Sequence, residues 1–269
     1  SAAPPLEPSA RDVGDRAEGE LAFPEAVAAF QRCAIDGSDR DRRYCAARLR
    51  VLESQQKDGF VGWKALAVNI SDIGAMGGVS RYALVTLALP GDLMVEAIDK
   101  LYDGMLEACR AYQVAIVGGD IVTAPCIVIT VALWGSLEGE MLLTRSAAQP
   151  GDQIAVTGFV GDASGGLAMM KEKVRPGADI EAHLRQAHFR PRPRAAEGQL
   201  LARFGVKAAI DISDGLVADL GHVCQCSQVS AQVRTNLIPL SPQLRQAFGD
   251  RALSLALFGG EDYELLFTA

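Results

Sequence analysis

From Trp63 onward the chain alternates between two hydrophobic periods, and that alternation restricts it to layers of helices packed on sheets. The segment "GWKALAVNISDIGAMGG" puts Trp63, Leu66, Ala67, Ile70, Ile73 and Met76 on one helical face and closes on Gly77 and Gly78. "RYALVTLALP" reads as a strand stopped at Pro90, since proline has no N–H to give to a ladder. "GDLMVEAIDKLYDGMLEACRAYQ" carries apolar residues at 94, 95, 98, 101, 102, 105, 106 and 109, the stripe of an amphipathic helix. "VAIVGGD" and "APCIVITVALWG" read as two further strands.

A second round opens behind the turn of Pro150 and Gly151, and a boundary is placed between Ser146 and that proline. It predicts a strand in "QIAVTG", a Gly-rich turn "GFVGDASGGL" into a helix, and two helical stretches around "AHFRPRPRAAEGQLLARFG". A strand "VKAAIDIS", a helix "LVADLGHVCQC", a strand "VSAQVRTN" and a strand–turn–strand "LALFGGEDYELLFTA" follow. The expected fold is α/β (α+β) in two units, 62–148 and 149–269, after a segment 1–61. Within that segment 1–20 reads as poorly ordered and 24–55 as weakly helical.

Composition removes several functions. A formal net charge of −7 disfavours binding to a nucleic-acid backbone. No run of about 18 apolar residues appears, so no membrane span is expected. "SAAPPLEPSARDVGDRAEGE" lacks the apolar stretch of a secretory signal. Six cysteines without zinc-ribbon spacing read as free, buried thiols, and the expected location is the reducing cytoplasm. His183, His188 and His222 lack metal-site spacing, "RPRPR" reads as a solvated linker, and Met169, Met170 and Trp134 read as core. Neither a phosphate-loop motif ending in Gly-Lys-Ser/Thr nor a Gly-x-Ser-x-Gly elbow is present.

Carboxylates at the ends of apolar elements are the anomaly. They recur in "NISD" (Asp72), "IVGGD" (Asp120), "AIDISDG" (Asp211 and Asp214) and "LFGGED" (Glu261 and Asp262), usually with Gly or Ser beside them. Asp211 or Ser213 can cap the helix after Gly215, and Gly-Gly-Asp can be an ordinary turn. Alternatively the four junctions converge, and carboxylates crowded together need cations. An all-oxygen donor set without a nearby His or Cys selects Mg²⁺ or a similar ion, and Mg²⁺ commonly bridges to phosphates. Arg145 is either a surface residue or a phosphate clamp, and "GFVGDASGG" either a plain turn or a phosphate cradle.

Together, "GWKALAVNISDIGAMGG", "RYALVTLALP", "IVGGD", "LLTRSAAQPGDQIAVTG", "GDASGGL", "AAIDISDGLVADLGH" and "LFGGEDYELLFT" resemble the thiamine-monophosphate kinases. These belong to the superfamily that includes aminoimidazole-ribonucleotide synthetase. The resemblance runs from about residue 62 to 269 and implies a two-domain PurM-like architecture whose N-terminal domains form a dimer sheet. It implies ATP- and Mg²⁺-dependent phosphorylation of thiamine monophosphate to thiamine diphosphate by a homodimer. Carried over by motif, Asp72, Asp120, Asp211 and Asp214 would hold Mg²⁺. Tyr102, Gly119, Asp120, Arg145 and Ser213 would contact ATP, and Glu261 the thiamine substrate. Residues 1–61 lack the family's Gly-Asp-Asp-Ala-Ala, Thr-Asp-Thr and Glu-Gly-Val-His-Phe segments, and the C-terminal unit is expected to be truncated before the family's aromatic tail. The alternative expectation is a non-catalytic nucleotide-binding or dimer-forming relative without the N-terminal metal ligands.

Overall fold

The computed structural model describes residues 59–137, 139 and 142–269; the expectations for 1–58 lie outside the described residues. Helix α1 (Phe60–Ala75) leads into strand β1 (Val79–Leu89), helix α2 (Val95–Tyr112) and strands β2 (Ala115–Thr123) and β3 (Val128–Ser136). The sheet order is β2-β1-β3, with β1 parallel to β2 and antiparallel to β3. Period-two alternation buries Ala83, Val85, Leu87 and Leu89 of β1 beneath the two helices, against Leu66, Ile70, Leu101 and Met105. The helices cross at glycines. A Cβ on Gly62 would lie 1.8 Å from the Leu101 carbonyl oxygen, and one on Gly104 would lie 1.9 Å from that of Gly59.

The other face of this sheet is open. Tyr82 and Trp134, cross-strand partners, are 55% and 51% exposed, and Leu84 of the same face is exposed too. Trp134 is therefore not core, contrary to the sequence expectation. Its indole lies on a face that no described element covers.

The second sheet has the order β4-β6-β5, all antiparallel: β4 (Ile154–Val156), β5 (Ala208–Asp211) and β6 (Leu265–Thr268). Helices α3 (Asp162–Glu172), α4 (Ala178–Phe189), α5 (Ala195–Arg203), α6 (Leu216–Ser227), α7 (Pro242–Phe248) and α8 (Arg251–Phe258) complete this half. Its core gathers Val160, Met169, Leu184, Ile210, Ile212, Leu244 and Leu266. Two strand expectations fail here. The first strand expected in "LALFGGEDYELLFTA" is instead the end of helix α8, "RALSLALF", because Ala252 and Ala256 recur at helical spacing and both are buried. "VSAQVRT" is irregular and ends in a single 3₁₀ turn, Thr235–Leu237; no strand among the described residues pairs with it. Cys109 alone of the described cysteines is buried; Cys126 and Cys224 are half-buried and Cys226 is exposed.

The "RPRPR" stretch is a strap between the halves rather than a solvated linker. Pro191 and Pro193 are buried, and the Pro191 carbonyl accepts the Trp63 indole N–H at 2.9 Å. Arg190 stacks on the Trp63 ring at 4.3 Å and pairs with Glu107. Arg194 makes a two-pronged bond to Glu264, Nε to Oε2 at 2.7 Å and Nη2 to Oε1 at 2.5 Å. These contacts lock α1 onto the second half and carry its acidic end toward β5.

Candidate active site

Strand β5 delivers Asp211 to the end of a buried element, and the loop behind it is held without using that carboxylate. Gly215, at φ 121, stands at the N-cap of α6 and offers no side chain. Asp219 Oδ2, from within the first turn, instead accepts the N–H groups of Ser213, Asp214 and Gly215 at 3.0, 3.0 and 3.1 Å. So neither Asp211 nor Ser213 caps the helix. Asp211 is 4% exposed and accepts the Ser71 hydroxyl of α1 at 2.6 Å. Burial raises its carboxyl above the ordinary range; the Ser71 bond and the Arg145 charge oppose this, and Asp214 reinforces it. Asp72, the next residue after Ser71, presents its edge to solvent, yet the atoms packed around its carboxyl raise it, then Asp211 does, against Arg145.

The turn Gly259–Glu264 closes over this junction. A Cβ on Gly260 would lie 2.2 Å from the Ser213 carbonyl oxygen, so only glycine lets the two loops touch. The Glu261 N–H binds that carbonyl at 2.8 Å, and the Tyr263 N–H binds Ile212 O at 2.9 Å. Glu261 and Tyr263 both hold left-handed backbone, φ 71 and 52, a strained state for residues with side chains. Burial pushes the Tyr263 phenol up, followed by the charges of Glu261, Asp211, Asp72 and Asp214. Four carboxylates from three separate junctions therefore act on one ring. Glu261 Oε2 is 2.9 Å from Lys64 Nζ and 3.4 Å from His188 Nδ1.

Asp262 settles the role of the Gly-rich turn. Its carboxylate accepts the N–H groups of Gly161 at 2.7 Å and Ala163 at 3.2 Å, occupying the N-terminus of α3 where a phosphate would have to sit. Burial pushes the Asp262 carboxyl up to about 7, the two N–H groups opposing and Asp162 and Glu264 adding. A folded pKa above the unfolded value of 3.8 means that the folded state holds the extra proton between those limits. Its stabilising effect is complete below the lower limit and is lost as pH rises through about 7. Raising pH from about 5.5 to about 7.5 is expected to remove about 2 kcal/mol through this group. Urea titrations of the parent and Asp262→Asn proteins at both pH values check this. Equal slopes in the two proteins would refute it.

Asp72, Asp211, Asp214, Arg145, Ser213 and Glu261 thus share one neighbourhood. Tyr102, Gly119 and Asp120 lie elsewhere in the single chain. Tyr102 is half-buried against Val85, Leu87 and Met105. Gly119 pairs with Val85 on exposed β2, where a Cβ would lie 1.7 Å from the Val85 oxygen. Asp120 pairs with Thr86 on the open sheet face, and its Oδ1 accepts the Ile121 N–H at 2.8 Å.

Sequence reasoning missed Ser71, Lys64, His188 and Asp219, whose partners are far away in the chain or, for Asp219, backbone groups. His222 also departs from expectation: with Asp214 and Asp219 it brings ligand atoms within 4.8 Å of one another, although the Asp219 oxygen is committed to backbone. A groove of about 540 Å³ between β4, α6 and residues 229–234 holds none of the converging carboxylates. No helix of the described residues is long and apolar enough to cross a membrane.

The two halves that meet at this carboxylate junction match the two domain models of the AIR synthase related proteins. The family model for their N-terminal domain matches residues 46–137, beginning ahead of residue 62, and that for their C-terminal domain matches 149–269. The chain is 38% identical over 241 residues to the thiamine-monophosphate kinase of Aquifex aeolicus, covering 84% of this chain and 77% of that one. It is 38% identical over 211 residues to the Bacillus subtilis enzyme, and spans 65% of that enzyme's length. The chain belongs to the thiamine-monophosphate kinase family. Among solved structures, AaThiL complexed with AMPPCP and TMP superposes with a TM-score of 0.73 at 39% identity, covering 78% of this chain and 68% of that one. The enzyme from Stenotrophomonas maltophilia gives 0.74 at 38%, covering 80% and 69%. Escherichia coli HypE, at 20% identity and 0.65, shares the fold alone. The expected two-domain PurM-like fold is thereby shown.

Proposed function

We propose that this chain transfers the γ-phosphoryl group of ATP to thiamine monophosphate, giving thiamine diphosphate and ADP. The carrying observation is the meeting of Asp72, Asp211 and Asp214 beside Arg145, at the junction between the halves 62–148 and 149–269. An acceptor phosphate oxygen bonds to the γ-phosphorus as the bond from that phosphorus to the β–γ bridging oxygen breaks, and ADP leaves with the electron pair. The acceptor is already ionised near neutral pH, so the chain needs no general base. Its task is to bring two anions together.

The donor set fits Mg²⁺: all oxygen, with protonation favoured at Asp72 and Asp211 by burial and neighbouring charge. When bound, the ion neutralises phosphate charge. Asp72, Asp120, Asp211 and Asp214 would hold Mg²⁺, and Arg145 would meet the polyphosphate from the loop before β4. Tyr102, Gly119 and Ser213 contact ATP, and Glu261 meets the thiamine moiety. The open face of the first sheet, with Tyr82, Leu84 and Trp134, supports a homodimer through this sheet. Asp120 lies on that same face, so its part in the site is completed by the second copy. The proposed setting is the cytoplasm, without membrane or nucleic-acid partners.

Purified protein with ATP, MgCl₂ and thiamine monophosphate is expected to form thiamine diphosphate and ADP in equal amounts, and chelation by EDTA to stop it. A folded protein that makes no thiamine diphosphate at high concentration would overturn the reading.

A further inference from the structure

We infer that Lys64 is a positioning residue for the thiamine end of the site: it holds the Glu261 carboxylate across the junction and so sets the affinity for thiamine monophosphate. The inference rests on the reading of Glu261 given above.

Lys64 lies in the second turn of α1, and Glu261 in the turn of the opposite half, 197 residues away. The ammonium donates to Glu261 Oε2 at 2.9 Å and to the His188 carbonyl oxygen at 2.8 Å. Anchored at two points, and with its side chain only 19% exposed, it does not swing with solvent. The buried His188 ring lies 3.4 Å beneath the same Oε2. The Lys64 and His188 contacts fall on the same oxygen, Oε2, and 41% of the Glu261 side chain is exposed. The left-handed backbone of Glu261 sets where its side chain starts, and Lys64 sets where its carboxylate ends. Binding a ligand to a carboxylate already confined in this way costs less ordering entropy than binding to a loose one. A thiazolium carries positive charge, and a fixed carboxylate is a directional partner for it. Among the described residues no hydrogen bond or ion pair joins the ammonium to Asp72, Asp211 or Asp214, so the effect falls on the thiamine end of the site.

The test combines titration calorimetry and steady-state kinetics on the parent protein, Lys64→Met, Lys64→Arg, Glu261→Gln and the double variant Lys64→Met/Glu261→Gln. Lys64→Met is expected to weaken thiamine monophosphate binding by about tenfold and raise its KM alike. The KM for ATP and kcat should stay within about twofold. Lys64→Arg should recover part of the loss, and the double variant should be no worse than Glu261→Gln alone. Unchanged or tighter thiamine monophosphate binding in Lys64→Met overturns the inference, as does additive loss in the double variant. If Lys64→Met does not fold, an unshifted KM in Lys64→Arg overturns it. A Glu261→Gln effect without a Lys64 effect sinks the inference but spares the proposed function. A parent protein that neither binds nor phosphorylates thiamine monophosphate sinks both.

Discussion

Asp211→Asn is expected to lower phosphoryl transfer by on the order of a thousandfold while making the metal-free protein harder to melt. The two effects have one origin. Asp211 is buried at the end of β5, with burial and Asp214 both working against its charge and Asp211 in turn acting against Asp72. Asparagine keeps an oxygen to accept the Ser71 hydroxyl bond, so the local packing is retained. It removes the charge that the proposed phosphoryl transfer would use and that folding resists. Because the folded carboxyl is raised, its charged form weakens the fold as pH climbs above the unfolded value, and the asparagine protein escapes that loss at neutral pH. The melting midpoint in EDTA at neutral pH should lie above that of the parent. Added MgCl₂ should stabilise the parent more than the variant. Lower activity accompanied by a lower midpoint would mean that Asp211 is structural.

Arg194→Met is expected to cost about 3–5 kcal/mol of stability, because it strands a buried carboxylate. Glu264 is buried, and Arg194 supplies two of its bonds; Thr157 supplies a third at 2.6 Å. The hydrogen bonds to Glu264, against burial and helped by the Glu264 charge, hold the Arg194 guanidinium above its ordinary pKa. Removing the arginine leaves one hydroxyl against a full buried charge at the end of the turn Gly259–Glu264. Equilibrium urea unfolding measures the loss, and Arg194→Met/Glu264→Leu should regain most of it, since the pair replaced together leaves no unpaired charge. A single variant within about 1 kcal/mol of the parent would show that water reaches Glu264 and that the pair is peripheral.

Long, periodic elements were legible without coordinates. The stripe from Leu101 to Cys109 could only be a helix, and the alternation in β1 only a half-buried strand. Short elements were not. "RALSLALF" carries enough apolar residues for either state, and the helix was decided by Ala252 and Ala256 packing inside the second core. "VSAQVRT" has strand-like residues, but a strand exists only where a neighbour offers its edge. The prolines of "RPRPR" suggested a linker, yet the same rigid, extended backbone lets Arg190 and Arg194 reach two separate partners.

Sequence by itself determined the chemistry at the junctions: carboxylates beside glycine or serine at the ends of apolar runs, an all-oxygen donor set, and a family whose motifs stand in order. Those properties depend on residue type and near spacing, which a chain carries whether folded or not. Tertiary structure alone decided which junctions meet. It set Ser71 against Asp211 and Lys64 against Glu261, gave the α3 N-terminus to Asp262, and left Asp120 on an open face. Such contacts join residues far apart in the sequence, or, for Asp120, depend on what covers a sheet, and local propensity carries no record of either.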